Sequence, residues 1–148
     1  MNIFENHFKE IENLVLKNKS HLNLNNIDNL KNVSLEIPPS QFNFDLSCNI
    51  AMVLGKSNKL NPNDLAQKLK KIFLDNIENF ADIEIAGPGF INIKLSNSAL
   101  IKNINFILEN NKKYGSFKSN KTYNIEFVSA NPTGPCLLYT SDAADERL

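Results

Sequence analysis

The residues with the clearest chemical potential are short polar side chains that follow an apolar run late in the sequence. Residues 123–135 read Tyr-Asn-Ile-Glu-Phe-Val-Ser-Ala-Asn-Pro-Thr-Gly-Pro. The β-branched and aromatic first half predicts a strand, and the Ser, Asn, Pro and Gly of the second half predict a tight polar loop. In open parallel sheets, ligands bind beyond the carboxyl ends of strands. This segment is therefore a candidate small-molecule site.

A second candidate group is a set of lysines on one predicted helix, Lys68, Lys70 and Lys71. Each lysine side chain could neutralise one phosphate, so one interpretation is a patch that contacts RNA. The other interpretation is an ordinary solvated helix face.

Other residues with reactive side chains favour structural roles. Cys48 has no nearby histidine or paired cysteine, and we expect it on or beside a buried face. His7 lies off the centre of an apolar stripe, and we expect it to be solvated or close to a helix cap. Gly87-Pro88-Gly89 is not predicted to bind phosphate, because no helix start follows and no Lys or Ser/Thr occupies the required position. No metal site and no catalytic residue is predicted.

These candidates are positioned by elements that hydrophobic periodicity and capping residues predict. Asn61 and Pro62 mark the start of one helix, Ser96 caps another, and Asp45 is expected to cap a third. The apolar face of the helix that Ser96 caps is expected to be core. That face comprises Leu100, Ile101, Ile104, Ile107 and Leu108. Helices are predicted over residues 2–18, 46–56, 61 to about 77–80 and 97–113, and strands over 33–37, 81–86 and 90–95, the last two as a hairpin.

Length and composition limit the class of protein. A chain of 148 residues favours one compact domain with an appendage. No apolar run approaches the ~20 residues that cross a bilayer, so membrane insertion is not expected. The N-terminus lacks the features of a secretory signal, and Cys48 and Cys136 form no disulfide or metal framework, which favours the cytoplasm. The net charge is zero, so RNA binding requires a local patch, and no DNA partner is predicted.

Two strings in this sequence resemble arginyl-tRNA synthetases. Residues 126–135, Glu-Phe-Val-Ser-Ala-Asn-Pro-Thr-Gly-Pro, are similar to the segment that leads into the His-Ile-Gly-His signature of that family. Residues 86–92, Ala-Gly-Pro-Gly-Phe-Ile-Asn, resemble a landmark of the family's appended N-terminal domain. The helix with Asn-Ile-Ala-Met-Val-Leu at 49–54 and the Asn-Pro helix after it also fit the order of that domain.

The resemblance implies an α+β fold, with a small antiparallel sheet packed against helices and followed by the first strand of a truncated Rossmann-type catalytic domain. On this basis the appended domain spans residues 1–115, a linker spans 116–121 and the start of the class I catalytic domain spans 122–135. The family activates arginine with ATP and Mg²⁺ and transfers it to tRNA(Arg), and the appended domain contacts the outer corner of the tRNA near its D-loop. The full-length enzyme is expected to be a monomer.

The resemblance also assigns substrate-binding residues. By matching position, the family's arginine ligands fall on Glu126, Ser129 and Asn131, and a carboxylate with short polar partners suits a guanidinium or ammonium group. The signature-region remnant comprises Ala130, Asn131, Pro132, Thr133, Gly134 and Pro135. The structural alternative is that Glu126 is a surface strand residue and that Ser129 and Asn131 are turn formers.

The family pattern breaks after Pro135. The family continues with Leu and His-Ile-Gly-His, whereas residues 136–148 contain neither histidine nor glycine. This tail resembles translated adapter sequence joined to a truncated gene, and we expect it to be disordered and poorly packed. The chain alone is therefore expected to bind no ATP and to be inactive in arginine-dependent ATP–pyrophosphate exchange.

Two further functional classes remain open at this point. The chain could be a free-standing RNA-binding module with the appended-domain fold and no catalysis, or a small interaction domain without a nucleic-acid role. The coding sequence downstream of residue 135 distinguishes a ligase fragment from the free-standing module, and a failure to bind tRNA at low salt would favour the interaction domain.

Overall fold

The structure is a computed structural model that describes residues 3–116 and Thr122. The chain divides into two compact units, Met1–Ser116 and Phe117–Leu148. The first unit contains all the helices and strands among the described residues, and short 3₁₀ helices cover Asp28–Asn32 and Asn111–Lys113. Its main elements are α1 (Ile3–Lys17), β1 (Leu35–Glu36), β2 (Leu46–Cys48), α2 (Ile50–Asn58), α3 (Pro62–Asn76), β3 (Phe80–Ala86), β4 (Phe90–Leu95) and α4 (Asn97–Asn110).

The strands form one antiparallel sheet in the order β1-β2-β4-β3. The predicted hairpin is confirmed, since β3 and β4 pair with Ile83 opposite Ile93 and Ile85 opposite Ile91. Ile91 and Ile93 belong to the hydrophobic core, together with residues of α1, α2 and α3. A small antiparallel sheet packed against helices, as predicted, is therefore the architecture of this unit. The predicted first strand of a Rossmann-type domain lies outside the described residues.

The start of α3 is the clearest case of a locally encoded element. Asn61 Oδ1 accepts hydrogen bonds from the backbone N–H groups of Asn63 at 2.9 Å and Asp64 at 3.4 Å. Pro62 occupies the first turn, where its missing N–H would have had no helical partner. Leu69 and Phe73 of this helix are fully buried, so their side of α3 packs into the core.

The helix predicted over residues 46–56 is wrong at its start, where the structure has strand β2. Leu46 pairs with Ile93 and Cys48 pairs with Ile91, so the segment is held by strand neighbours more than 40 positions later in the sequence. Asp45 does not cap a helix. Its Oδ2 accepts a 2.8 Å hydrogen bond from the backbone N–H of Leu95 instead. The helical spacing of apolar residues is misleading here, because cross-strand pairing outweighs local propensity.

Cys48 is buried on β2, which confirms the prediction of a buried position. Burial raises the pKa of its thiol to about 12, and a hydrogen bond with the backbone of Ile50 offsets only part of that effect. A thiol in such a place is an inert core residue.

The prediction of a solvated His7 is wrong. Its side chain is 6% exposed, and Nδ1 lies 2.8 Å from Oε2 of Glu10. The imidazole ring also packs against the ring of Phe80, with centroids 5.4 Å apart. The buried side of α1 runs along His7, Ile11 and Val15, each one turn from the next. The edge of the apolar stripe, not its centre, therefore faces the sheet.

The helix predicted over residues 97–113 forms as α4, but its predicted core face is largely exposed. Ser96 Oγ accepts a 3.2 Å hydrogen bond from the backbone N–H of Ala99, so the predicted cap is confirmed. Ala99 is nevertheless the only residue of this helix that is buried. The remaining helices already supply the core beneath the sheet, which leaves α4 at the periphery.

No helix among the described residues is both long enough and apolar enough to span a bilayer.

Candidate nucleic-acid interface

A polar row crosses the face of the sheet that points away from the core. Glu36 pairs with Ser47, Ser47 pairs with Asn92, and Asn92 pairs with Glu84. Because side chains alternate between the two faces of a strand, this row lies opposite the face that carries Ile91 and Ile93. All four strands therefore contribute one polar side chain each to the same line.

A groove of about 610 Å³ lies over this row. One wall comes from the segment between β1 and β2, which supplies Pro38 and Phe42, and the other from the turn between β3 and β4. Phe90, two residues before Asn92 on β4, lines the groove and is 39% exposed. The groove thus combines apolar and aromatic walls with a polar floor, as ligand sites for flat organic groups do.

The floor of the groove holds an unpartnered polar atom. Asn92 is 2% exposed, and its Oδ1 accepts a 2.7 Å hydrogen bond from the hydroxyl of Ser47. Its Nδ2 has no hydrogen-bond partner, and it is the one buried side-chain polar atom in residues 3–116 with that property. If the amide were turned over, Oδ1 would be left without a partner instead. In either orientation one amide atom has no partner within the described residues.

Leaving such an atom unpaired costs about 1–3 kcal/mol. A ligand that supplies the missing acceptor or donor would recover that cost on binding. Glu36 is the one charged residue among those that line the groove, and Glu84, at the other end of the row, is not a lining residue, so the groove is acidic rather than basic. The arrangement suits the hydrogen-bonding edge of a neutral planar group better than it suits a phosphate.

The same part of the chain matches a family model. Residues 8–95 match the arginyl tRNA synthetase N terminal domain. The chain belongs to this family.

Individual relatives agree with the family match. The chain is 43% identical over 140 residues to the arginine–tRNA ligase of Pelagibacter ubique (strain HTCC1062), a match that covers 91% of this chain and 24% of that ligase. It is 43% identical over 113 residues to the arginine–tRNA ligase of Rickettsia bellii (strain OSU 85-389), covering 75% of this chain and 19% of the ligase. For the arginine–tRNA ligase of Rickettsia felis (strain ATCC VR-1525 / URRWXCal2), identity is 39% over 137 residues, which is 91% of this chain and 23% of the ligase. The chain thus spans a quarter or less of the length of these relatives.

The lysines singled out from the sequence do not line the groove. Lys68 and Lys71 are exposed and Lys70 is half-buried on α3. The opposite side of that helix packs into the core through Leu69 and Phe73. In this synthetase domain the lysines and the groove therefore lie on separate surfaces, and an RNA-contacting role for the lysines stays a prediction.

The residues predicted to hold arginine lie outside the described residues. This applies to Glu126, Ser129 and Asn131, to the signature-region remnant 130–135, and to the tail 136–148. Their assignment stays a prediction.

Sequence reasoning missed the groove residues Ser47, Phe90 and Asn92 as functional candidates. Ser47 is hidden because the pattern of its segment predicts the start of a helix. A signal for Asn92 does exist. It is a polar residue within a strand, between Ile91 and Ile93, and a strand residue at such a position can be buried by neighbouring parts of the fold. The pattern alone does not reveal that loop residues such as Phe42 cover it.

Proposed function

We propose that this chain is the tRNA-contacting N-terminal part of an arginine–tRNA ligase, and that its groove binds an unpaired base of the tRNA. The observation that carries the proposal is the buried Nδ2 of Asn92, which has no hydrogen-bond partner, on the same strand as the partly exposed ring of Phe90. Single-stranded RNA is recognised by stacking of splayed bases on aromatic rings and by hydrogen bonds to base edges. The groove offers both kinds of contact within one strand.

Charge also supports a base rather than the RNA backbone as the occupant of the groove. Glu36 lines the groove, and a carboxylate repels phosphates but can accept hydrogen bonds from the amino groups of bases. Phosphate contacts would come from lysines outside the groove, and Lys68 and Lys71 are exposed candidates.

The relatives' name supports the wider proposal. The complete polypeptide would attach arginine to tRNA(Arg) at the expense of ATP, with Mg²⁺, as a cytoplasmic monomer. Residues 3–116 and Thr122 contain no group of three or more His, Cys, Asp or Glu side chains placed to hold a metal ion. ATP with Mg²⁺ is the proposed cofactor of the complete polypeptide, and Glu126, Ser129 and Asn131 are the proposed arginine ligands. A free-standing RNA-binding module is the less favoured proposal, because the three relatives named above are ligases of much greater length.

The test is tRNA binding by the 148-residue chain, measured by fluorescence anisotropy with a labelled tRNA(Arg) transcript. Asn92→Ala and Phe90→Ala should each weaken binding by about tenfold, since one base contact is worth about 1–3 kcal/mol. Asn105→Ala is the matched control, because Asn105 is an exposed asparagine on α4, outside the groove. Its affinity should equal that of the parent chain.

Two outcomes would contradict the groove as a base site. Equal affinity of the parent and both groove variants is one. The other is equal affinity for tRNA(Arg) and for a fully paired RNA duplex of the same length, because a duplex offers no splayed base. Circular dichroism of each variant checks that the fold is retained.

A further inference from the structure

Asp45 joins the chain just before β2 to the end of β4 in two ways. Its backbone N–H donates a 3.0 Å hydrogen bond to the carbonyl of Ile93. Its side-chain Oδ2 accepts a 2.8 Å hydrogen bond from the backbone N–H of Leu95. Because β2 begins at Leu46, opposite Ile93, it does not extend as far as Leu95. The carboxylate therefore accepts the hydrogen bond that a backbone carbonyl of a longer β2 would accept.

A positive side chain strengthens this junction from the outward face of the sheet. Lys94 lies two residues after Asn92 on β4, so both side chains are on the face that carries the groove. Nζ of Lys94 lies 3.6 Å from Oδ1 of Asp45. It also donates a 3.1 Å hydrogen bond to Oδ1 of Asn43. Lys94 thus connects β4 to the segment that precedes Asp45.

That segment, residues 37–44, is the wall segment of the groove. Its lining residues are Ile37, Pro38, Pro39 and Phe42. Pro38 is the one buried residue within the segment, and Ile37 is 75% exposed. A 2.9 Å hydrogen bond from the N–H of Phe42 to the carbonyl of Pro39 closes a turn inside it. Segments with few buried contacts open most easily, so the position of the wall segment depends on the residues that hold its ends.

We propose that Asp45, supported by Lys94, is a positioning residue that holds the wall segment over the sheet, so that the groove is formed before an RNA base enters it. This inference rests on the proposed function, because it concerns the same groove. Asp45 and Lys94 are not among the residues that line the groove, so they act through the wall segment. A site that is already ordered binds its ligand more tightly, because ordering the wall segment no longer reduces the binding free energy.

The sign of the charge distinguishes this role from an electrostatic one. Asp45 is an anion, and loss of an anion close to an RNA site strengthens binding if charge alone matters, because repulsion of phosphates is removed. Loss of the carboxylate that holds the wall segment weakens binding instead. The roles open to Lys94 are separable in the same way. Substitution of Asn43 releases Lys94 to contact a phosphate but loosens the wall segment, so the two roles predict changes of opposite sign.

The test measures two properties of the 148-residue chain. The first is amide hydrogen exchange of residues 40–44 without RNA, measured by mass spectrometry, and the second is affinity for a labelled tRNA(Arg) transcript, measured by fluorescence anisotropy. The variants are Asp45→Ala and Asn43→Ala. Asp28→Ala is the matched control, because it removes the same charge as Asp45→Ala from an exposed residue that does not line the groove. Circular dichroism checks the fold of each variant.

We expect Asp45→Ala to raise exchange of residues 40–44 by about tenfold, since it removes a hydrogen bond to a charged group. Exchange in α3 should stay unchanged. Binding of tRNA should weaken by about fivefold, because the groove is formed in a smaller fraction of molecules. Asn43→Ala should change exchange and affinity in the same directions by about twofold to fivefold, the range for a partly exposed contact of a charged side chain. Asp28→Ala should not raise exchange and should not weaken binding.

Unchanged exchange of residues 40–44 in Asp45→Ala would overturn the proposal. An equal rise of exchange in every element would overturn it too, because Asp45 would then stabilise the whole fold and not the wall segment. Stronger tRNA binding by either variant would show that charge, and not the position of the wall segment, controls affinity. If Asp45→Ala does not fold, Asn43→Ala at its exposed position decides by the same two measurements.

The proposed function can fail without this inference. It fails if Asn92→Ala binds tRNA as tightly as the parent chain does. That result leaves hydrogen exchange without RNA unaffected, since exchange reports only whether Asp45 holds the wall segment. A base site in the groove and the positioning of its wall are therefore judged by different variants and different measurements.

Discussion

The hydroxyl of Ser47 on β2 and the side-chain amide of Asn92 on β4 are joined by a 2.7 Å hydrogen bond across the sheet. The two residues are direct cross-strand partners, so the bond links the middle of β2 to β4 through side chains. The other amide atom remains unpaired at the floor of the groove. A strand pair that could have been filled with apolar side chains instead holds a polar group ready for a ligand, and this relationship is the basis of the proposed RNA interface.

The lysines of α3 can be tested through the salt dependence of tRNA binding. Lys68→Gln/Lys71→Gln should weaken binding and reduce the slope of log K against log salt by about 1.5, since each lost phosphate contact removes about 0.7–0.9 from the slope. The two lysines are exposed, so the fold should not change. Gln67→Ala, a neutral change at an exposed neighbouring position, should leave the slope as it is. An unchanged slope in the double variant would assign the lysines to an ordinary solvated face.

The thiol of Cys48 should be almost unreactive in the folded protein. Burial raises its pKa from 9.0 to about 12, so the thiolate fraction at pH 8 should be about a thousandfold lower than for an exposed cysteine. The rate of thiol alkylation in a Cys136→Ser background measures this difference directly, when the folded chain is compared with the chain unfolded in urea. Rapid labelling of the native chain would contradict burial of the thiol.

The same pKa shift predicts how stability depends on pH. The folded state holds the Cys48 proton more tightly than the unfolded state does, so unfolding releases a proton above pH 9. The contribution of Cys48 to the free energy of unfolding should therefore be constant below about pH 9 and fall as the pH rises toward 12. Urea midpoints of the parent and Cys48→Ala, compared at pH 7 and pH 10, isolate this contribution. A difference between the two proteins that stays constant with pH would contradict it.

The two glycines of the β3–β4 turn should respond differently to alanine. Gly89 has a φ of +116°, and a Cβ there would lie 3.0 Å from Cβ of Pro62 at the start of α3. Gly87 has a φ of +52° with open space around it. We expect Gly89→Ala to lower the free energy of unfolding by about 2–4 kcal/mol, from strain and contact together, and Gly87→Ala by about 1 kcal/mol, from strain alone. Urea denaturation measures both, and equal losses would show that the Pro62 contact is unimportant.

The sequence by itself determined the elements whose stabilising contacts are local. Asn61 and Ser96 cap helices through bonds to N–H groups within the next three residues, and the alternation on either side of Gly87 and Gly89 encodes the hairpin. Neighbours in sequence are neighbours in space for such elements, so propensity and periodicity are sufficient.

Only the tertiary structure decided the features that depend on distant partners. The strand conformation of Leu46–Cys48 depends on β4, and the burial of His7 depends on Phe80. The groove forms because strands far apart in sequence place Ser47 against Asn92. The side that α4 turns outward is set by which helices already cover the sheet. A periodic pattern reports that a helix has an apolar side, but only the packing of the whole domain determines what that side meets.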